Sequence, residues 1–470
     1  MAANRLVAAS AANLLIPVSG LLVSPFLSRE LGPEGRGLYA ALTLPIVVCG
    51  WLGTYGLQDA LAFHVRRRRL SRPDAARVSL LAAVPLGLVA VLLLAALGLL
   101  VFDRAGDQRQ QFVALTLLAP LHLVGNLVIG ALTGAGDIGG VNLMKVLPAA
   151  LRTTLMVVAC VAFDLSAFWA ALLFLTSTAS GVLVGLPRLR RRAAPGGPGA
   201  AADRAERGDP DGPADRAAAL DPAGPIPVRS LLRYSLACLP GVLAATASAR
   251  LDQVVGLPLL GARELGFYAV AVSVAELPTV VATAARTVLL GGAADDDPAS
   301  ALRVARVAVP AAALGCALLA ASAGLLVPRF FGADFAPATL PTVILCAGTV
   351  VFTCGQVYSA LLLAHDEAAR SSAALVAGSL TGVLLLVVLA PRGAVGAALA
   401  SLIGYAVTAG IAARSVRRLP AVPSLRAVTV PYAADLRALP AWLAGARRGD
   451  PPGGDDAAGS PAAGTSGARR

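Results

Sequence analysis

Seven ionisable residues fall within or close to long apolar stretches of this chain: Asp59, Lys145, Arg152, Arg250, Asp252, Glu276 and Arg286. At the centre of a bilayer each costs about 2.5–3.5 kcal/mol, so seven facing lipid would cost roughly 20 kcal/mol. A folded protein has only about 5–15 kcal/mol of net stability. Most of the seven must therefore face a wet cavity, one another, or the headgroup zone. The set is richer in cations than in anions, and arginine keeps its charge when desolvated and binds oxyanions in a bidentate fork. That chemistry suits an anionic partner.

Spacing gathers several of these groups onto shared helix faces. Glu276, Thr279, Thr283 and Arg286 recur at intervals of three, four and three, as do Asn142, Lys145, Ala149 and Arg152. The latter spacing puts Lys145 and Arg152 roughly 10 Å apart along one axis. Asn13, Pro17, Gly20 and Ser24 form a small, polar stripe; His122 with Asn126, and Thr349 with Thr353, Gln356 and Ser359, form two more. Each has a plainer reading beside the functional one. Lys145 snorkels to the interface or lines a cavity. Asp59 ends its helix in the headgroup zone or faces the interior. Arg250 and Asp252, two residues apart, cannot face each other and each needs a partner elsewhere. Glu276 either couples a cation or pairs with an arginine, and the His122 stripe reads as helix packing. We take Arg152, Arg250, Arg286, Lys145 and Asn13 as candidate substrate-binding residues, and Glu276, Asp252 and Asp59 as candidates for ion coupling or charge pairing.

The elements that must position these groups are membrane helices. Hydrophobic residues make up 57% of the chain and charged residues 14%, against roughly 25% charged in soluble domains; mean hydropathy is +0.74. The apolar runs are continuous, which excludes a barrel, and about twelve are long enough to span. The pattern predicts helices near 6–28, 38–62, 78–102, 111–133, 143–163, 166–187, 230–259, 266–290, 304–328, 339–363, 372–390 and 393–413. Arg66 to Arg69, Arg72 and Arg77, then Arg188 and Arg190 to Arg192, then Arg414, Arg417 and Arg418 mark one set of loops as cytoplasmic, with both termini inside. The net charge of +12 follows from this bias and calls for no nucleic acid. The acidic run Asp295 to Asp297 fits the assignment poorly but weighs little. Residues 1–187 form a six-helix lobe, 188–229 a disordered basic linker, 230–418 a second six-helix lobe, and 419–470 a largely disordered polar tail, of which 427–448 has some character of a surface helix. Six helices per half means that both halves enter the membrane the same way up. All six cysteines lie in apolar segments and read as small hydrophobes without disulfides.

The halves also share a phrase. Arg29-Glu30-Leu31-Gly32, followed by Gly37-Leu38-Tyr39-Ala40, returns as Arg263-Glu264-Leu265-Gly266-Phe267-Tyr268-Ala269, with Tyr39 and Tyr268 229 positions apart. The first copy, Phe26 through Tyr39, resembles the helix 1–2 junction of Wzx-type oligosaccharide flippases of the multidrug/oligosaccharidyl-lipid/polysaccharide (MOP) exporter superfamily. The second, with Leu251-Asp252-Gln253 and Leu259-Leu260-Gly261 before it, is similar to their helix 7–8 junction. The resemblance covers about residues 5–418. It implies an all-α, MATE/MOP-like fold of two parallel six-helix lobes around a central cavity lined by helices 1, 2, 7 and 8. It also implies turnover of polyprenyl-diphosphate-linked oligosaccharide from the inner to the outer leaflet of the plasma (inner) membrane by alternating access. Partners would be the lipid-linked sugar, membrane lipids and polysaccharide polymerase machinery, and no cofactor is called for. From their positions, Tyr39 and Tyr268 read as marks of the interface and lobe packing and not as substrate contacts.

Rivals remain within the superfamily. Lipid II flippases usually carry two further helices, which the proline-rich chain after 418 does not supply. Drug/cation antiporters use membrane-embedded acids, and helix 1 has none. Outside it, a major-facilitator porter would need a glycine and Asp-Arg motif where this chain reads His64-Val65-Arg66-Arg67-Arg68-Arg69-Leu70. A membrane-embedded glycosyl polymerase or ligase would need a large outer loop, and the predicted outer loops reach about ten residues. No phosphate-binding glycine loop is present, so ATP hydrolysis and enzymatic activity are not expected.

Overall fold

The computed structural model describes residues 2–67, 69–102, 107–190, 228–290, 298–365, 367–419 and 429, with the side chains of the first helix described from residue 18 onward. The predicted linker between 191 and 227, the Asp295 to Asp297 run and the surface-helix segment at 427–448, Thr429 apart, lie outside the described residues, as does the Asn13 side chain. Among the described residues the chain is helical throughout: α1 (Ala2–Leu52), α2 (Leu57–Arg66), α3 (Arg72–Val101), α4 (Asp107–Thr116), α5 (Ala119–Gly134), α6 (Ile138–Ala162), α7 (Ala167–Arg190), α8 (Val228–Val254), α9 (Gly256–Leu260), α10 (Ala262–Ala275), α11 (Thr279–Leu290), α12 (Pro298–Phe331), a 3₁₀ turn η1 (Ala333–Ala338), α13 (Thr339–Ala364), α14 (Ala368–Leu389), a 3₁₀ turn η2 (Ala390–Arg392) and α15 (Gly393–Val416).

Continuous helix does not mean one crossing. A straight helix of the 51 residues of α1 would be about 77 Å long, against ~30 Å of hydrocarbon. Gly32, at φ 64°, breaks it, and Val23 and Leu27 before the break share one buried cluster with Leu42 and Ile46 after it. Eight stretches are long and apolar enough to cross a membrane. Two of them, Val18–Leu52 and Ala368–Val416, each contain a reversal, at Gly32 and at η2. With α8–α9 and α10–α11 the described residues make twelve crossings, α1 to α7 forming one six-helix lobe and α8 to α15 the other. This is a multi-pass membrane protein. Its outward faces are apolar: Leu81, Val84, Leu88 and Leu92 on α3, and Leu314, Leu318 and Leu325 on α12, are all exposed, as lipid-facing side chains are.

The crossings lie where the apolar pattern predicts, but several are broken where it predicts continuous helix. Crossing 2 stops at Leu52 and resumes at Leu57 through Tyr55 (φ 48°) and Gly56 (φ 80°). Crossing 8 is interrupted between Ala275 and Thr279 at Pro278. Backbone groups freed inside a membrane need partners, and hydroxyls supply them. Ser235 Oγ donates to the Tyr55 carbonyl at 2.6 Å, Thr54 Oγ1 to Trp51 at 2.8 Å, and Thr349 Oγ1 to Ala275 at 2.9 Å.

The duplicated phrase explains how each lobe is tied. Glu30 accepts the Leu165 N–H at 3.2 Å, at the hairpin joining α6 and α7. Its counterpart Glu264 accepts the Ala394 N–H at 2.8 Å, at the hairpin joining α14 and α15. The same carboxylate thus caps the same hairpin in both lobes.

Candidate functional site

The lobes meet at both ends of the molecule. At the end carrying the duplicated junctions, α1 beyond Gly32 crosses α10. Gly37 and Gly266 sit at the crossing, each against the backbone of the other lobe: Gly37 against Ala262 and Gly266, Gly266 against Pro33 and Gly37. Only a residue without a Cβ allows backbones this close. An Arg29 guanidinium N–H also donates to the Arg329 carbonyl across the lobes. At the opposite end α2 meets α8. Phe63 stacks on Tyr234 with ring centroids 4.4 Å apart, and His64 Nε2 lies 2.9 Å from Ser230 Oγ. Because His64 Nδ1 sits 2.8 Å from the Ala60 carbonyl, that nitrogen carries a proton, which leaves Nε2 to meet the Ser230 hydroxyl.

Between these seams the second lobe gathers three of the predicted residues. Arg250 on α8 makes a two-pronged pair with Glu276, which caps α10, at 2.8 and 3.1 Å. Of the two readings of Glu276, the arginine pair is the one observed. Asp252 accepts hydrogen bonds from Tyr268, Ser401 (3.1 Å) and the Gln253 N–H (2.8 Å), and Tyr268 and Ser401 Oγ lie 2.8 Å apart. Arg250 and Asp252 thus point to different partners, as their spacing requires. Tyr268 is fully buried inside its lobe.

Arg286 lies farther along crossing 8, with Nη1 donating to Gln356 Oε1 at 2.8 Å. The predicted Glu276–Arg286 face is corrected in part: the break at Pro278 interrupts it, so Glu276 turns to α8 while Arg286 faces α13. The Thr349 stripe packs against this same interrupted crossing through Thr349 and Gln356. Asp59 is also corrected. It does not end its helix but lies, exposed, in the first turn of α2, which runs on to Arg66. It faces α8, close enough to Tyr234 and Cys238 to act on both electrostatically.

The first lobe is different. The Arg152 guanidinium on α6 lies 4.6 Å from the centre of the Phe174 ring, Phe174 meets Tyr39 edge-on at 6.1 Å, and the Arg36 guanidinium lies 5.2 Å from the Tyr39 ring. Neither arginine forms an ion pair with a carboxylate of a described residue. Lys145, two turns away on the same face of α6, is half-buried and is not without a partner. His122 and Asn126 serve packing, through Thr178 at 3.4 Å and the Gly50 carbonyl at 2.8 Å. Sequence reasoning missed Arg36. The signal was in the repeat itself: aligning Gly37 with Gly266 and Tyr39 with Tyr268 sets Arg36 against Leu265, which is fully buried.

No protein-family model matches this chain, and no curated protein matches it. Solved structures do. A multidrug resistance MATE family transporter of the MOP superfamily, in an inward-facing conformation, superposes with a TM-score of 0.63 at 18% identity, over 87% of this chain and 97% of its own. The lipid II flippase MurJ, in an inward closed conformation, gives 0.66 at 12% identity over 93% of both chains. A MOP superfamily transporter from Pyrococcus furiosus, described as having a binding pocket of reversed polarity, gives 0.57 at 18% identity, over 88% of this chain and 95% of its own. The chain therefore has the MATE/MOP transporter fold.

Proposed function

We propose that this protein is a flippase that carries polyprenyl-diphosphate-linked oligosaccharide from the inner to the outer leaflet of the plasma membrane by alternating access. The observation that supports this reading is the excess of positive charge in the interior. Arg250 has a carboxylate partner, but Arg286 is held by a neutral amide and Arg152 by an aromatic ring. Such guanidinium groups are free to exchange these partners for phosphate oxygens, whose charge-assisted hydrogen bonds are about twice as strong as neutral ones. Cytoplasmic termini put the Gly37–Gly266 seam at the outer side and the Phe63–Tyr234 seam at the inner side. A dianion moving outward through an inside-negative potential gains roughly 4–5 kcal/mol per 100 mV, so the field alone supplies a bias. Membrane lipids are the solvent partner, and polysaccharide polymerase machinery would receive the product.

The test is flipping of a fluorescent polyprenyl-diphosphate oligosaccharide in proteoliposomes, with leaflet position read by an impermeant quencher, with and without an inside-negative potential. Protein-dependent flipping that Arg152→Ala and Arg286→Ala reduce, with membrane insertion intact, supports the reading. The fold likeness to a lipid II flippase supports a second cargo, so lipid II belongs in the same assay. Failure to flip any lipid-linked cargo, with uptake of a cationic dye against a proton gradient, would replace the reading with a drug/cation antiporter.

A further inference from the structure

Arg36 is the least expected charge in the molecule. It is 8% exposed, and its Nε is buried without a hydrogen-bond partner. Leaving a buried charged donor unpaired is costly, and the aligned position of the other lobe shows the cheaper solution, the buried Leu265. Arg36 lies over the Tyr39 ring and Arg152 over the Phe174 ring of one edge-on pair, and both guanidinium groups act electrostatically on the Tyr39 hydroxyl. A hydroxyl donor, two forked cations and two aromatic faces together make a receptor for an oxyanion borne on a sugar-sized group.

Its position gives the receptor a state dependence. Arg36 directly precedes Gly37, which lies against Ala262 and Gly266 in the closed seam. We propose that Arg36, Arg152 and Tyr39 form an oxyanion site in the first lobe that is covered in this closed state and uncovered when the Gly37–Gly266 seam opens. Bound anion then favours the state open at that end, because it satisfies an Arg36 Nε–H that has no hydrogen-bond partner in the closed state. In the transport cycle, and resting on the flippase reading above, this is the subsite that holds the cargo's anionic group before release. The oxyanion is either the lipid diphosphate or the carboxylate of an acidic sugar.

The experiment is binding to the purified full-length protein in detergent, by calorimetry and thermal unfolding, with inorganic diphosphate and glucuronic acid as separate probes. Diphosphate binding assigns the site to the lipid headgroup, and glucuronate binding without diphosphate binding assigns it to an acidic sugar. Arg36→Gln and Arg152→Gln should each weaken the bound probe by about 10–100-fold, the range for a charged hydrogen bond, while Arg36→Lys retains part of the affinity. Arg36→Gln should also raise the unfolding temperature of the ligand-free protein, since it removes a buried charge whose Nε–H has no hydrogen-bond partner; a cation needed for packing on Tyr39 would do the reverse. Equal affinity of wild type and both Gln variants, or binding of neither probe by wild type, overturns the site. Flipping assays on the same variants separate the two ideas: wild-type flipping by Arg36→Gln with unchanged probe binding sinks this site alone, whereas absence of flipping by the wild type sinks the flippase reading and leaves probe binding to stand or fall separately.

Discussion

The glycine crossing makes the sharpest prediction. A Cβ on Gly37 would overlap the Ala262 carbonyl oxygen and lie 2.7 Å from the carbonyl carbon and 2.8 Å from the Gly266 nitrogen. On Gly266 it would overlap the Pro33 carbonyl oxygen and lie 2.9 Å from that carbonyl carbon. All of these neighbours are backbone, so no rotamer change relieves the clash and the two helices must separate. Neither glycine has a positive φ, so alanine itself fits each helix and even favours it by about 1 kcal/mol. The penalty therefore falls on the closed seam and not on the helices. Overpacking costs about 1–3 kcal/mol, and rigid backbone puts this case at the upper end. A closed-state penalty of about 3 kcal/mol shifts the closed-to-open ratio by about 100-fold.

The assay is distance measurement between spin labels at Glu34→Cys and Arg263→Cys, both exposed and flanking the seam, with the native cysteines replaced. Gly37→Ala and Gly266→Ala should each move the distribution to longer distances. Gly410→Ala, where a Cβ meets open space, should leave it unchanged. A folded, monodisperse Gly37→Ala protein with the wild-type distribution would refute the claim that this contact closes the molecule.

Other consequences follow from the second lobe and the opposite seam. Glu276→Gln should lower thermal stability in detergent by about 1–3 kcal/mol, discounted from a fully buried pair because Arg250 and Glu276 are 27% and 38% exposed; adding Arg250→Gln should recover part of the loss in a double-mutant cycle. Tyr268→Phe leaves the half-buried Asp252 carboxylate one donor short and should destabilise by about 1–3 kcal/mol, measured by thermal unfolding; no change would mean that water replaces the lost donor. Tyr234→Ala removes a stacked ring from the α2–α8 seam, a contact of about 0.5–1.5 kcal/mol beyond its area. It should raise maleimide labelling of Cys238, which lies one helical turn along α8 from Tyr234.

Much of the architecture was legible because the bilayer imposes it. Apolar run length sets the crossings, so all twelve predicted segments coincide with helix, and the even number per half sets the parallel lobes. The breaks were not legible. Pro278 interrupts crossing 8, yet Pro85 and Pro148 stand inside helices α3 and α6, so a proline in the sequence does not by itself mark a break. The candidate site was legible in its residue types and not in its pairings. That Arg250 would meet Glu276, and Asp252 meet Tyr268 and Ser401, depends on how α8, α10 and α15 pack. Helical spacing carries no such information, and it wrongly joined Glu276 to Arg286.

The duplication also shows where the lobes have parted company. Glu30 and Glu264 cap equivalent hairpins, and Gly37 and Gly266 share one crossing, so the scaffold has kept its symmetry. The tyrosines have not. Tyr268 donates to a carboxylate, while Tyr39 stands between two arginines. Two lobes with the same walls but opposite charge beside the same tyrosine cannot respond alike to one ligand. On the proposed flippase reading, an anion entering between them is drawn to the arginines beside Tyr39 rather than to the surroundings of Tyr268, where Asp252 is anionic and Arg250 is already neutralised by Glu276; Arg286, held by Gln356, is the cation that the second lobe still offers. Alternating access needs such a difference in affinity between states, because a ligand bound equally by both shifts nothing. On the proposed flippase reading, the asymmetry lies next to the seam that would open, so the same few residues would both hold an anion and bias the gate.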